Sequence, residues 1–192
     1  MKTVTIEGQL RSEMGKKAAR AIRSKEQVPC VIYGGPQSVH FTATQKDLKP
    51  FIYTHEFQYA EVKVEGKTYK CILKDLQFNK VTDNLQHVDL LELVEDKMVL
   101  ANIPVSFTGT SIGVKNGGRF IAKVKSVKVK CLPKFLRDTL AVAIDTLEIG
   151  KNLRIEDIKY EGITIMQSPR IPIASVVTTR ALKQAETEAK KK

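Results

Sequence analysis

The sequence predicts a mainly β protein, with a few short helices in its first half and a second β-rich domain after it. Three observations carry that expectation. Alternating apolar and polar residues recur along almost the whole chain, and a helical period surfaces only twice. At 192 residues, 42% of them hydrophobic, the chain can bury two modest cores.

In order, TVTIEGQL sets Val4, Ile6 and Gly8 against Thr5, Glu7 and Gln9, the mark of a half-buried strand. Residues 16 to 25 read as a helix, which Pro29 forbids from continuing, so VPCVIY is a strand ending at the Gly34-Gly35 turn. TQKDLKPFIY is a second short helix, with the Thr44 hydroxyl as its cap and Pro50 as its disturbance. YAEVKVEGKTYKCILKDLQF is a hairpin turning at Glu65-Gly66-Lys67, and NLQHVDLLEL is a further strand. The domain boundary falls in LVED, giving 1–93 and 94–180, with residues 181–192 too polar to pack and read as a disordered basic tail. Beyond it, MVLANIPVSFTG is a strand with Pro104 at an edge-like position, SIGVKNGGRF a glycine-rich loop and IAKVKSVKVKCLP one long strand. TLAVAIDTLEIGKNLRIEDI is a strand followed by turns, and ITIMQSP and IPIASVVTTR complete the all-β second half.

Composition narrows the function. The formal net charge of +11, with no tryptophan and few aromatics, favours an anionic partner such as nucleic acid over an apolar protein interface. No apolar run approaches membrane-spanning length and MKTVTIEGQL lacks the apolar core of a signal peptide, so a cytoplasmic protein without a membrane partner is expected. Cys30, Cys71 and Cys131 each stand alone inside an apolar run and read as core residues. The charge is clustered: residues 11–25 hold six cations and one acid, and residues 115–137 hold eight cations and none.

On a helix, Lys16, Arg20 and Arg23 share one face, and Ala18, Ala21 and Ile22 share the other. Such a helix can dock on a sheet and present its cations to phosphates while Tyr33, at the adjacent strand end, packs on a sugar or base. A solvated charged helix beside a core tyrosine is the competing reading. In LQHVDL, His87 and Asp89 share a strand face at a spacing of about 6–7 Å, too long for a catalytic hydrogen bond without bending, and no nucleophile motif accompanies them. A hydrolase is therefore disfavoured. A pair reading RNA, or a functionless surface pair, remains.

Five segments in order, GKKAARAIRSKEQVPCVIYGG, KDLQ, LQHVDL, NGGRF with KVKCLP, and LEIGKNLRIEDI, resemble the 5S rRNA-binding large-subunit ribosomal proteins of the general stress protein CTC family. The resemblance implies an N-terminal antiparallel β-barrel of six strands with short helices, bound to the loop E region of 5S rRNA, and a β-rich C-terminal domain in the central protuberance. It implies RNA contacts at Arg11, Lys16, Arg20, Arg23, Tyr33, His87 and Asp89, with Gln77 as a further member; Ala19 stands where the family often has a serine. A monomer within the ribosome follows, beside 23S rRNA and neighbouring proteins, with no cofactor, metal or small-molecule substrate. A stress-linked RNA-binding interaction protein acting partly off the ribosome is the alternative.

The basic strand poses a separate problem. Lys123 and Lys125 have one parity and Lys128 and Lys130 the other, so a regular strand would bury one pair. A β-bulge near Ser126 would expose all four and keep Val124, Val127 and Val129 together inside. The exposed lysines are then either protection for an edge strand or a second rRNA contact extended by Lys115, Arg119, Lys134 and Arg137.

Overall fold

The computed structural model describes residues 2–179; the tail expected at 181–192 lies outside them. The chain divides into two compact units. One runs to Val99 and takes in Leu132–Asp138, and the other comprises Leu100–Cys131 and the chain from Thr139 on. The sequence placed the division at 93/94 and had no sign of the Leu132–Asp138 excursion, which is tied to the first unit by the Phe57 N–H donating to the Asp138 carbonyl at 3.4 Å.

The first unit contains β1 (Thr3–Leu10), α1 (Lys16–Ser24), β2 (Gln27–Tyr33), β3 (Val39–Thr44), α2 (Gln45–Ile52), β4 (Tyr59–Val64), β5 (Lys67–Phe78) and β6 (Leu85–Glu92). The strands close a barrel in the order β1-β3-β2-β6-β5-β4. Its pairing is mixed rather than wholly antiparallel: β1 runs parallel to β4, and β2 parallel to β6. The parallel pairs join strands separated along the chain, with α1, β2, β3 and α2 between β1 and β4, and β3, α2, β4 and β5 between β2 and β6. β3 was not foreseen. The β4–β5 turn is the expected one, with Glu65 and Gly66 both at positive φ (47° and 79°), the geometry of a two-residue type I′ hairpin turn.

Alternation along the strands fills the barrel. Ile6, Val28, Cys30, Ile32, Phe41, Val62, Val88 and Leu90 point inward, and α2 adds Leu48 and Phe51. Each such side chain contributes roughly 1.5–3 kcal/mol through burial. Thr44 stands at the N-cap of α2 as expected, but its hydroxyl donates to the Asp47 carboxylate instead of accepting from a backbone N–H. Pro50 sits within α2, which continues to Ile52. No helix among the described residues is long and apolar enough to cross a membrane.

All three cysteines are buried and unpaired. Burial pushes the Cys30 and Cys71 thiols up to about 12 and raises that of Cys131. The unfolded chain releases these protons above the ordinary thiol value of 9.0 while the folded chain retains them, so stability is intact below that pH and falls as pH rises through it. Each of the two barrel thiols should add about 1.4 kcal/mol of loss per pH unit above about 9. Urea midpoints measured from about pH 8 to about pH 11 check this: Cys30→Ala should flatten the alkaline slope by one proton, and an unchanged slope would refute the assignment.

The second unit holds two sheets. β7 (Val99–Thr108), β9 (Ser126–Cys131), β10 (Leu140–Ala143) and β12 (Ile163–Ile165) form one, in the order β10-β7-β9-β12. β8 (Arg119–Ala122), β11 (Asn152–Arg154) and β13 (Pro172–Val177) form the other, in the order β11-β13-β8. β7 is therefore an interior strand. Pro104 is accommodated there by standing one residue outside the Val105–Thr108 stretch paired to β10. The glycine-rich loop contains a single helical turn, α3 (Ile112–Lys115), capped by the buried Ser111 hydroxyl, which accepts from the Val114 N–H at 3.1 Å.

The one long basic strand is two strands in different sheets. The Lys123 and Val124 N–H groups both donate to the Ile173 carbonyl, at 2.7 and 3.1 Å, so two residues oppose one, as in a bulge. The chain then crosses to the other sheet, where the Val105 N–H donates to the Lys125 carbonyl at 2.9 Å. The parity shift falls in this crossover rather than at a bulge inside a continuous strand. The lysines come out as expected: Lys123, Lys125, Lys128 and Lys130 are exposed, while Val127, Val129 and Cys131 are buried. Val124, expected to be buried with the other valines, is only half-buried and packs against Val142, Ile155, Ile158 and Ile173.

Candidate nucleic-acid interface

Register decides which side chains meet on the outside of the barrel. Cys30 and Ile32 of β2, and Val88 and Leu90 of β6, point inward. Their neighbours Val31, Tyr33, His87 and Asp89 therefore take the outer face. β2 and β6 are adjacent, with Val31 opposite Asp89 and Tyr33 opposite Leu91; on the far side of β6, Gln77 faces His87. Tyr33, His87, Asp89 and Gln77 thus occupy one outer patch spanning three strands.

His87 and Asp89 touch. Nδ1 of His87 lies 2.6 Å from Oδ1 of Asp89, with both side chains about a quarter exposed, which corrects the expectation that their spacing forbids a hydrogen bond. The reach of an imidazole leaning along the strand closes the gap that the backbone spacing leaves. A carboxylate only accepts, so Nδ1 carries a proton; in the neutral imidazole Nε2 is then an acceptor, and in the imidazolium it is a donor.

A bulge shapes the far side of this patch. Leu73 pairs with Leu90 but Asp75 pairs with Asp89, so Lys74 is the extra residue. Without the bulge Lys74 would stand opposite Asp89; with it, two carboxylates face each other, an unfavourable pairing on a sheet. The Tyr33 hydroxyl registers this environment, its pKa raised by burial first and then by Asp89 and Asp75.

α1 packs on β2 with Ala18, Ala19 and Ile22 half-buried and no residue fully buried. Lys16, Arg20 and Arg23 are exposed, as the helical spacing predicted, and so is Lys17; Ala21, expected on the apolar side, is exposed as well. Arg23 does more than present charge. Its Nε donates to the Gln86 carbonyl at 3.0 Å, pinning α1 beside His87. Arg11 follows β1 and is half-buried, its backbone N–H donating to the His40 carbonyl at 3.0 Å and its Nη2 to the Glu13 carbonyl at 3.3 Å. Gly34, at φ +98°, makes the turn after Tyr33 and its carbonyl accepts from Lys97 Nζ at 2.8 Å.

Residues 6–90 match the ribosomal L25p family, and residues 98–180 match the C-terminal domain of ribosomal protein TL5. The chain belongs to the ribosomal L25p family. It is 41% identical over 192 residues to the large ribosomal subunit protein bL25 of Cytophaga hutchinsonii, each chain being covered completely. It is 40% identical over 192 residues to that of Amoebophilus asiaticus, covering all of this chain and 98% of the relative. With that of Porphyromonas gingivalis it shares 38% identity over 187 residues, covering 96% and 97% of the two chains. The L25p family is structural and ribosomal, not enzymatic, which removes the hydrolase reading of the His87–Asp89 contact.

Sequence reasoning missed two residues of this outer patch and its rim. Asp75 was invisible because its place opposite Asp89 depends on the Lys74 bulge, and bulges leave no periodic trace. Lys97 lies 63 residues from Gly34, and only the folded chain brings them together. Among the described residues no group of three or more His, Cys, Asp or Glu side chains is placed to hold a metal ion.

Proposed function

We infer that this protein is a structural component of the cytoplasmic large ribosomal subunit whose first unit binds the loop E region of 5S rRNA in the central protuberance. One observation carries the reading: the registers of β2, β6 and β5 gather Tyr33, His87, Asp89 and Gln77 on one outer patch, and Arg23 fastens the cationic helix to its edge. The complete-length likeness to proteins named as large ribosomal subunit proteins supports the ribosomal part.

The chemistry divides the work. Lys16, Arg20 and Arg23, with Arg11, hold phosphates, which gives affinity without sequence information. The facing carboxylates Asp75 and Asp89 repel phosphate, so this side of the patch must meet donors: base amino groups or ribose 2′-hydroxyls in the wide, shallow minor groove of an RNA helix. In its neutral form His87 accepts through Nε2 from the same kind of donor, and Tyr33 packs against a sugar.

Gel-shift titrations against 5S rRNA and a plain RNA duplex of equal length, at several salt concentrations, test this division. Asp89→Ala should erode the preference for 5S rRNA by roughly 10–100-fold with the salt slope nearly intact, whereas Arg20→Ala should weaken both complexes alike and lower the slope by about one. Equal affinity of the wild-type chain for both RNAs would reject the loop E assignment. A chain recovered mainly from ribosome-depleted lysate would favour the off-ribosome alternative.

A further inference from the structure

We propose that Lys123, Lys125, Lys128 and Lys130, with Arg119 at the start of the preceding strand, form a second RNA-contact surface that grips the phosphate backbone of a 23S rRNA helix, independently of sequence. This rests on the reading of the chain as a large-subunit component but concerns a different unit and different residues. Lys134 and Arg137, which lie in the segment belonging to the first unit, are not part of this proposal.

Strand position removes the edge-protection explanation for Lys128 and Lys130, though not for Lys123, which follows β8 at the edge of its sheet. β9 is not an edge: it lies between β7 and β12, so Lys128 and Lys130 protect no open ladder. On the β12 side, Lys130 is opposite Thr164, and the Lys128 carbonyl accepts from the Met166 N–H at 2.9 Å, so no carboxylate flanks either lysine there. None of the seven strands β7 to β13 contains an Asp or Glu, and from Lys97 to Arg137 the chain carries nine cations and no acid. No carboxylate of a described residue lies within 4.0 Å of any of the four lysines. A merely solvated surface intersperses both signs. Here Lys123 and Lys125, and likewise Lys128 and Lys130, set like charges two residues apart, about 6–7 Å at strand spacing, with no carboxylate paired to them.

The kind of partner follows from the side chains. Lysines are compact point charges that hold phosphates without demanding a fixed approach, unlike the bidentate fork of arginine. The surface offers four lysines, one arginine and no carboxylate, which suits positioning a backbone more than reading bases. Its place on regular sheet and on the anchored crossover, where two N–H groups bind the Ile173 carbonyl, makes it a rigid platform. An acidic protein is the other anion that fits, and the experiment separates the two.

The test uses the full chain with all four lysines changed to Gln, beside a second variant with all four changed to Arg. Large subunits carrying each form are washed in rising KCl, and each form is also titrated against isolated 5S rRNA. Four lost phosphate contacts should weaken binding and lower the salt slope by about 3–4, so that the fall in affinity between about 50 and 200 mM salt is roughly 10²-fold smaller than for wild type. The Gln variant should therefore leave large subunits at lower salt while binding 5S rRNA like wild type, and the Arg variant should match wild type in both assays. A photo-reactive side chain at position 128 should crosslink to 23S rRNA. Release of the Gln variant at the wild-type salt concentration overturns the proposal, as does a crosslink to protein or to 5S rRNA, or a parallel loss of 5S rRNA binding. Failure of the wild-type chain to bind 5S rRNA would instead count against the first-unit reading.

Discussion

Replacing Gly8 with Val should cost the barrel about 3 kcal/mol or more, a large fraction of the roughly 5–15 kcal/mol that holds a domain folded. A Cβ at Gly8 would lie 2.4 Å from Cδ2 of Phe41, and 3.1 Å from both Cε2 of that ring and Cγ2 of Val64. Phe41 is fully buried, so its ring has nowhere to retreat. β1 closes the barrel between β3 and β4, pairing Gly8 with Val64 and Leu10 with Phe41. Relief of the clash by moving the backbone would therefore open two ladders at once. Gly8→Ala should cost about 2 kcal/mol on the same grounds. Urea denaturation checks both, and a double variant sharpens the test: Phe41→Leu should recover part of the loss in the Gly8→Ala background while being destabilising alone. If Gly8→Ala unfolds at the wild-type urea midpoint, the steric account is wrong.

Gly8 also shows how far the sequence could be read. Its inward register was legible from the alternation of Val4 and Ile6, but not the reason for a glycine there, because Phe41 lies on β3, the one barrel strand that the pattern did not reveal. VHFTAT alternates poorly: Phe41, Thr42 and Ala43 are all buried, so period two is masked. The helix face of α1, the hairpin at Glu65-Gly66 and the strand of His87 and Asp89 were local patterns and could be read locally. The parallel pairings and the crossover of the basic strand depend on partners far along the chain. In the patch itself, the residue types were visible and their geometry was not. Counting along a strand fixes which face a side chain takes, but neither the reach of His87 nor the bulge at Lys74 has a period to count.

Arg23→Ala should weaken 5S rRNA binding far more than Arg20→Ala, by about 10²–10³-fold against roughly tenfold, although each change removes one positive charge. The difference lies in what holds α1. Nine residues are too few for a stable isolated helix. Gly15 at its N-cap provides no side-chain bond, the first turn has no acid, and Lys16 and Lys17 there oppose the helix dipole. With no residue fully buried, the helix depends on half-buried Ala18, Ala19 and Ile22 and on the Arg23 bond to Gln86. Cutting that bond frees the helix end next to His87, so Lys16, Arg20 and Arg23 are lost as phosphate ligands together. The salt dependence distinguishes the two cases: the slope should fall by about one for Arg20→Ala and by two to three for Arg23→Ala. Arg23→Lys should fall between them, because it keeps the charge and loses the Nε donor. Equal slope losses for the two alanine variants would show that α1 stays docked without Arg23 and that the two arginines act as independent phosphate contacts.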